Sequence, residues 1–339
     1  MKEKLLGKNI AELQEVVLSL GLPKFTAGQI AQWMYGRKVR SIDEMTNISK
    51  VGRERLKEEY SLGVTLPSAC QVSSDGTKKY LFPVGEGNAV EAVMIPDDDR
   101  KTLCVSSQAG CRMGCKFCMT GRQGFHGNLT VADILSQFVA IDESPDLTNA
   151  VFMGMGEPLD NFGNVMKAIE ALTADWGFGW SPKRITLSTI GVLPNLRKYL
   201  DSTRCHLAVS LHNPFPDERA EMMPVQKAWP VREVIDMIRE YDFTGQRRVS
   251  FEYTMFAGLN DDKRHADALI RLLRGLECRV NLIRFHKIPD APFETTPQII
   301  MERFRDRLSN HGITCTIRAS RGEDILAACG MLAGEHSRK

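Results

Sequence analysis

Three cysteines lie close together in a glycine-flanked stretch, where Cys111, Cys115 and Cys118 follow the spacing C-x3-C-x2-C. Three thiolates in one tight loop can hold one face of a metal cluster. A structural zinc site takes a fourth nearby cysteine or histidine, but the nearest histidine downstream is His126, beyond a glycine-rich turn. All-cysteine iron–sulfur clusters also take four ligands. The motif therefore predicts a cluster with one open iron, which could bind an amine and a carboxylate such as the methionyl end of S-adenosylmethionine.

Two further cysteines and two glutamates are candidates for the same chemistry. Cys104 precedes the cluster motif by seven residues, and Cys329 lies near the C-terminus. Glu91 interrupts an apolar run, and strand alternation alone places such a residue on the solvent face. Glu157 follows the segment Gly-Met-Gly, whose glycines permit a close approach of the backbone to a ligand.

The composition excludes several classes of protein. The 339 residues are 43% hydrophobic and 25% charged, which is ordinary for a globular protein, and the net charge of +2 excludes a polybasic tail as the main binding device. We find neither a secretory signal nor a run of about 18 apolar residues, so we expect a cytoplasmic protein that does not enter a membrane. The nine cysteines are an odd number, which disfavours a disulfide scaffold. Four of them match no motif and are predicted to be structural: Cys70, Cys205, Cys278 and Cys315.

Residues 1 to about 60 predict a small helical domain. Apolar residues recur at helical spacing from Ile10 to Leu20, and the sequence Gly-Leu-Pro then ends that helix. Two further helical segments follow, FTAGQIAQWMYGRKV and SKVGRERLKEEY. The first 60 residues carry 11 basic and 8 acidic side chains. This excess fits either an ordinary solvated surface or a nucleic-acid-binding appendage.

The pattern becomes β-prone from Gln71. The segments KKYLFPV and NAVEAVMIP, separated by Gly-Glu-Gly-Asn, predict a hairpin. From Leu103 strands alternate with helices over about 215 residues, and Thr130 with Asp133 predicts a capping box at the start of one helix. Six or seven βαβ units favour a full or partial α/β barrel over two Rossmann halves. The active site of such a barrel lies at the C-terminal ends of its strands.

Several motifs together resemble one protein family. The C-x3-C-x2-C motif, with Phe117 before its third cysteine, resembles the signature of radical S-adenosylmethionine enzymes. The segment FMGMGEPL ends the second barrel strand, where that superfamily has a Gly-Gly-Glu-Pro-like segment that binds the methionyl amine. Over nearly the whole chain the sequence resembles the RlmN/Cfr family of RNA adenosine methyltransferases, in the segments TLCVSSQAGC, MGMGEPL, TLSTIGV, AVSLHNP and IRASRGEDILAACG.

This resemblance implies an α/β fold, a radical S-adenosylmethionine partial or full (β/α) barrel with a small N-terminal helical domain and a β-hairpin linker region. We expect an N-terminal accessory, RNA-binding domain at residues 1–62 and a small β linker region at 63–98. The barrel core is expected at residues 99–321. The C-terminal segment 322–339 is expected to carry the cysteine that accepts the methyl group.

The resemblance also implies roles for individual residues. Carbon 2 of adenine is not a nucleophile, so ordinary methyl transfer to it is excluded. In the family, one S-adenosylmethionine methylates a cysteine, here Cys329, and a second yields a 5′-deoxyadenosyl radical that activates this methyl for addition to the ring. Two molecules are therefore used per turnover. Cys104 then releases the product through a transient disulfide, and Glu91 accepts the proton of carbon 2. The implied ligands of a [4Fe–4S] cluster are Cys111, Cys115 and Cys118.

The contacts to S-adenosylmethionine are implied by the same resemblance, and they fall near the ends of predicted strands. They are Gly156, Glu157, Ser188, Ser210, Leu211, His212 and His286. One position departs from the family pattern, because His286 stands where the family usually has an asparagine. An imidazole can donate one hydrogen bond but lacks the paired donor and acceptor of an amide.

The implied substrates are 23S rRNA and certain tRNAs, methylated at carbon 2 of an adenosine, and the implied electron donor is a flavodoxin or ferredoxin. The target adenine must be unstacked to reach a barrel interior. Basic residues near the barrel mouth are candidates for phosphate contacts: Arg112, Lys116, Arg122, Lys183 and Arg184.

Two alternative functions stay open at this point. The first is Cfr-type methylation of carbon 8 of the rRNA adenosine, since both branches of the family share the cysteine set. The second is a cluster-bearing RNA-binding or redox protein without methylation. The presence of both Cys104 and Cys329 counts against that second alternative.

Overall fold

The N-terminal part of the chain is helical, as predicted. The computed structural model describes residues 2–85, 87–245 and 247–333. Met1, Glu86, Gln246 and residues 334–339, the end of the predicted C-terminal segment, lie outside the described residues. A short parallel pair of strands joins the beginning of this part to its end. Its elements are β1 (Glu3–Lys4), α1 (Ile10–Ser19), α2 (Thr26–Ala31), a π-helical turn (Gln32–Gly36), α3 (Lys50–Glu59) and β2 (Tyr60–Ser61).

The rest of the chain alternates strands with helices, which confirms the α/β prediction. Its strands are β3 (Ala69–Val72), β4 (Lys78–Val84), β5 (Asn88–Asp97), β6 (Arg100–Cys104), β7 (Gln108–Gly110), β8 (Phe125–Asn128), β9 (Asn149–Phe152), β10 (Ile185–Thr189), β11 (His206–Ser210), β12 (Val249–Met255), β13 (Arg279–Arg284) and β14 (Thr314–Ile317). Its α-helices are α4 (Met119–Arg122), α5 (Val131–Val139), α6 (Phe162–Thr173), α7 (Leu193–Ser202), α8 (Pro216–Met222), α9 (Val231–Arg239), α10 (Lys263–Leu273) and α11 (Gln298–Ser309). Short 3-10 segments lie at Ile42–Glu44, Ser144–Asp146, Pro182–Arg184, Pro224–Lys227 and Glu323–Ile325.

Ten strands form one sheet, in the order β14-β13-β12-β11-β10-β9-β6-β5-β4-β3. The seven strands from β6 to β14 in this sheet are parallel to one another. The other three, β5, β4 and β3, are antiparallel, and β4 with β5 is the predicted hairpin. The two edge strands, β14 and β3, are not paired with each other in the described part of the chain. The barrel is therefore a partial one.

The sequence pattern of each layer explains its place in the fold. The interior of β11, Leu207 to Val209, is buried residue by residue, as expected for a parallel strand that is covered on both faces. Helix α9 buries Val231, Val234, Ile235 and Ile238, which is one face at helical spacing. The predicted capping box at the start of α5 is present. None of the described helices is long and apolar enough to cross a membrane.

Candidate active site

A small hairpin holds the cysteine motif at the end of β6. Strands β7 and β8 pair on either side of the motif, and the amide of Cys111 donates a hydrogen bond to the carbonyl of Gly124 over 2.7 Å. Gly110 has a left-handed φ of 68°, and a Cβ there would lie 2.0 Å from the same carbonyl oxygen, so only glycine fits. Phe117 packs against the ring of His212, with centroids 4.9 Å apart. The loop is therefore fixed from both sides.

The three cysteines of the motif line a cavity of about 170 Å³. Burial raises the pKa of all three thiols, that of Cys111 to about 12. The guanidinium of Arg219 opposes this effect at Cys115 because its positive charge favours the thiolate. Arg219 is fully buried and is held by the carbonyls of Leu211 and Ser210 over 3.0 Å each. It lies on α8, a helix that the sequence did not predict.

A [4Fe–4S] cluster fits this donor set. Three thiolates in an apolar cavity are unfavourable unless a positive group compensates them, and cluster iron does so. Among the described residues no three acidic, histidine or cysteine side chains are gathered around one point as a single metal ion requires. A cubane takes its cysteines on separate iron atoms, so its ligands stand farther apart than those of a single ion.

Glu157 lies in the same cavity wall, and the protein donates three hydrogen bonds to its carboxylate. One carboxylate oxygen accepts hydrogen bonds from the hydroxyl of Thr189 at 2.6 Å and the amide of Leu159 at 3.1 Å, and the other accepts from the amide of Ile190 at 3.0 Å. Burial nevertheless raises the pKa of Glu157 to about 7. A ligand with an ammonium group would restore the charged form.

The glycines before Glu157 are required by packing. Gly156 has a φ of 96°, and a Cβ there would lie 2.4 Å from the Cβ of Gln108. A Cβ on Gly154 would lie 2.7 Å from the carbonyl oxygen of Val105. These glycines let the segments that follow β6 and β9 come together. Both also line the first cavity, and their approach to a ligand stays a prediction.

The other predicted cofactor contacts divide into two groups. Ser188, Ser210 and His212 line the first cavity together with Gly156 and Glu157. Burial lowers the pKa of His212 to about 3, and its Nδ1 accepts the amide hydrogen of Thr254 at 2.9 Å, so the ring is neutral with its proton on Nε2. Leu211, in contrast, is buried in the core and lines neither this cavity nor the second one.

A second cavity of about 350 Å³ adjoins the first. Both predicted redox cysteines line it, and four residues line both cavities: Met153, Glu252, Ile283 and Cys329. Burial, followed by the negative charge of Cys329, raises the pKa of Cys104 to about 12. Cys329 itself is exposed. Residues 225 positions apart in sequence thus line one cavity, and the roles of the two cysteines stay a prediction.

His286 lines the second cavity and not the first. Its Nε2 lies 2.9 Å from the hydroxyl of Ser320, and its Nδ1 lies 3.1 Å from a carboxylate oxygen of Glu323. Both ring nitrogens therefore contact residues that follow β14. The contact of His286 with S-adenosylmethionine stays a prediction.

Glu91 is buried, in contrast to what strand alternation alone predicts, because the C-terminal segment covers its face of the hairpin. Its carboxylate forms an ion pair with Lys79 at 3.0 Å and accepts the amide hydrogen of Ala333 at 2.8 Å. Val93 pairs with Cys104 across β5 and β6, so Glu91, two residues earlier, lies on the same face of the sheet as Cys104. Glu91 itself lines neither cavity.

The basic residues at the site differ from those that the sequence singled out. Arg112 forms an ion pair with Asp160 at 2.9 Å and lies over the ring of Phe125, and Arg122 donates to the carbonyl of Pro289. The second cavity is instead lined by four arginines from strands and loops far apart in sequence: Arg100, Arg284, Arg318 and Arg321. No local sequence signal marks this set.

Comparison with known proteins gives consistent results over the whole chain. Residues 105–269 match the model of the Radical SAM superfamily, and residues 3–62 match the ribosomal RNA large subunit methyltransferase N-terminal domain. A probable dual-specificity RNA methyltransferase RlmN of Porphyromonas gingivalis is 59% identical, over 97% of this chain and 96% of that protein. The corresponding protein of Bacteroides fragilis is 56% identical, over 98% and 96%. The crystal structure of a radical SAM methyltransferase from Sphaerobacter thermophilus superimposes with a TM-score of 0.93 at 38% identity and covers 98% of this chain and 100% of that one.

Proposed function

Because the chain belongs to the RlmN family of radical S-adenosylmethionine RNA methyltransferases, we propose that it methylates carbon 2 of an adenosine in 23S rRNA and in certain tRNAs. The family implies a [4Fe–4S] cluster and S-adenosylmethionine. The names of the relatives describe dual-specificity RNA methyltransferases and are the basis for proposing two kinds of RNA. We further propose a cytoplasmic location and a flavodoxin or ferredoxin as electron donor.

The observation that carries this proposal is the position of Cys329. It lines the first cavity with the three motif cysteines and Glu157, and it lines the second cavity with Cys104. A carbon held on the sulfur of Cys329 would stand between the two cavities. The first cavity therefore suits S-adenosylmethionine and its cluster, and the second suits the unstacked adenine.

The chemistry that follows divides among three residues of the chain. The cluster held by the three motif cysteines would supply one electron to cleave S-adenosylmethionine, which would provide first the methyl group on Cys329 and then the radical that removes one hydrogen atom from it. The methylene radical on Cys329 adds to carbon 2 of the adenine, and the unpaired electron of the adduct would return to the cluster. Glu91 accepts the proton of carbon 2, which restores the aromatic ring. The thiolate of Cys104 then attacks the sulfur of Cys329. The disulfide forms as the carbon–sulfur bond breaks, and the released carbon keeps the electron pair of that bond and takes up a proton to become the methyl group.

Glu91 requires a local rearrangement to act as this base. In the structure its carboxylate is occupied by Lys79 and by the amide of Ala333. Its position on the Cys104 face of the sheet puts it beside the second cavity once Ala333 moves away. We therefore assign to residues 331–333 a displacement that accompanies RNA binding.

The product distinguishes this proposal from its alternative. Anaerobically reconstituted protein is incubated with a 23S rRNA fragment, and the nucleosides are separated and identified by mass spectrometry. We expect 2-methyladenosine. The appearance of 8-methyladenosine would establish the Cfr-type reaction, and the absence of any methylated adenosine would leave a cluster protein without methyltransferase activity.

The two distant cysteines give an asymmetric test of the mechanism. The Cys104→Ala variant should form the carbon bond to RNA and then fail to resolve it, so labelled RNA should migrate with the protein on a denaturing gel. The Cys329→Ala variant should form no such adduct because it has no methyl carrier. Cys205→Ala, which replaces a buried cysteine outside both cavities, is the control and should resemble the wild type. An adduct in Cys329→Ala would show that the roles are reversed.

A further inference from the structure

Glu252 is a carboxylate in the interior of the barrel that no step above uses. It lies in the middle of β12 with 4% of its surface exposed, between the apolar residues Phe251 and Tyr253, which point to the other face. Among the described residues it forms no ion pair. A buried carboxylate without a cation is unfavourable unless hydrogen-bond donors or a ligand compensate it.

One oxygen of this carboxylate is anchored by its neighbours. Oε1 accepts a hydrogen bond from the side-chain amide of Asn281 at 2.7 Å and another from the hydroxyl of Ser250 at 2.8 Å. The amide oxygen of Asn281 in turn accepts from the hydroxyl of Thr316 at 2.9 Å. These residues lie on β12, β13 and β14, so three neighbouring strands hold the carboxylate in one orientation.

The other oxygen, Oε2, accepts no hydrogen bond from the described residues. Glu252 lines both cavities and stands beside Cys329, whose thiolate its charge disfavours. The second cavity has one other carboxylate in its wall, that of Asp97, which is paired with Arg100 at 2.8 Å and with Arg321 at 3.4 Å. Glu252 is thus the carboxylate in this wall that no described cation pairs with, and its Oε2 faces a ligand.

We infer that Oε2 of Glu252 accepts a hydrogen bond from the 6-amino group of the target adenine, and that Glu252 is a specificity-determining residue. This inference rests on the proposed function. The 6-amino group is the one hydrogen-bond donor of an adenine base, whose ring nitrogens N1, N3 and N7 are acceptors. Carbon 2 belongs to the same six-membered ring. An amine held at Glu252 therefore keeps carbon 2 in the cavity that Cys329 and Cys104 line.

The test combines a change in the enzyme with a change in the base. RNA carrying purine riboside, which lacks the 6-amino group, replaces the adenosine substrate for the wild type and for Glu252→Ala. For the wild type we expect kcat/KM to fall about 10- to 100-fold on purine riboside, because a hydrogen bond to a charged group is lost. Glu252→Ala should lose a similar factor on adenosine and show no further loss on purine riboside. If Glu252→Ala instead falls as far on purine riboside, relative to adenosine, as the wild type does, the two changes act independently and the inference is overturned.

A second variant covers the case in which Glu252→Ala does not fold. Glu252→Gln is nearly isosteric, and when its oxygen takes the donors of Asn281 and Ser250, its amide hydrogens face the cavity. We expect this variant to lose activity on adenosine and to gain relative activity on inosine, whose position 6 is a carbonyl acceptor. An unchanged ratio of inosine to adenosine methylation would contradict the inference.

The controls separate this inference from the proposed function. Glu240→Ala removes an exposed carboxylate that is paired with Arg197 outside both cavities, and it should leave both substrate ratios unchanged. Formation of 5′-deoxyadenosine and the KM for S-adenosylmethionine are measured for each variant. A rise in that KM with an unchanged base preference would place the carboxylate on the cofactor and overturn the inference. A wild type that yields no methyladenosine would contradict the proposed function itself.

Discussion

Two segments bring cysteines to the same cavity wall, and they are built differently. The motif loop between β7 and β8 is enclosed by a strand pair and by an aromatic contact, with the buried charge of Arg219 behind it. The segment 318–333 has one short 3-10 turn and no strand pairing, and apart from four buried apolar residues it is attached to the rest of the molecule by separate hydrogen bonds and ion pairs. Two of these join the carboxylate of Asp324 to Ser73 and Ser74, and another joins the hydroxyl of Thr120 to the carbonyl of Leu332.

The difference matches the work that we propose for each segment. The ligands of a cluster must stay in fixed positions, and the motif loop is held by more than one independent contact, the β7–β8 pair and the packing of Phe117 on His212. The sulfur of Cys329 must reach the methyl donor, then the target adenine and then Cys104. Individual hydrogen bonds at a surface can open one at a time at low cost in free energy, whereas a packed core opens cooperatively.

The largest expected effect is in the fixed segment. Cys115→Ala should lose the cluster and with it all reductive cleavage of S-adenosylmethionine, because three iron sites need three thiolates. The measurements are iron content, the visible absorption spectrum and 5′-deoxyadenosine formation under anaerobic conditions. Cys315→Ala, a buried cysteine on β14, is the control. Full iron content and full cleavage of S-adenosylmethionine by Cys115→Ala would contradict the assignment of Cys115 as a cluster ligand.

The next effect lies where the C-terminal segment covers the hairpin. Glu91→Gln should retain the cluster and bind S-adenosylmethionine but stop turnover, because an amide of nearly the same shape cannot accept the proton. Product is measured by mass spectrometry and cofactor binding by calorimetry. Near-normal methylation by this variant would mean that another group is the base.

The affinity for S-adenosylmethionine is expected to depend on pH through Glu157, which lies in the wall of the first cavity. Burial raises the pKa of Glu157 to about 7, so the free protein carries a proton there at lower pH. A methionyl ammonium binds the ionised form, and the proton must leave first. The affinity for S-adenosylmethionine should therefore fall about tenfold for each pH unit below 7 and level off just above it, where Glu157 is ionised and the amine of the ligand still carries its proton. The Glu157→Gln variant should bind S-adenosylmethionine weakly, and its affinity should not change with pH in this range. An equal pH dependence in that variant would show that a group other than Glu157 loses the proton.

The smallest expected effect concerns the attachment of the segment that carries Cys329. Asp324→Ala removes the hydrogen bonds to Ser73 and Ser74 and should lower turnover roughly two- to fivefold, with an unchanged cluster. Amide hydrogen exchange should rise in residues 322–329 and not in residues 111–118. Asp306→Ala, an exposed carboxylate on α11, serves as the control. Faster exchange in both segments would show that they form one cooperative unit.

The sequence alone determined the features that depend on local spacing. The three motif cysteines lie in one loop, so their positions in the chain define the proposed ligand set before the fold is known. Periodicity predicted the helices, the β4–β5 hairpin and the alternation of strands with helices, because each of these depends on residues within about a dozen positions of one another. Helix α8 escaped prediction because it is only seven residues long and follows a proline.

The tertiary structure decided which distant residues share a wall. Glu252 and Asn281 meet because β12 and β13 pair in a particular register, and the arginines of the second cavity come from β6, from β13 and from the chain after β14. The burial of Glu91 depends on a segment more than 200 residues away that covers its strand. Alternation along a strand shows that two faces differ, but it cannot show what lies over each face. That is set by long-range packing, so the sequence identified the cluster loop and only the fold assembled the cavity that surrounds it.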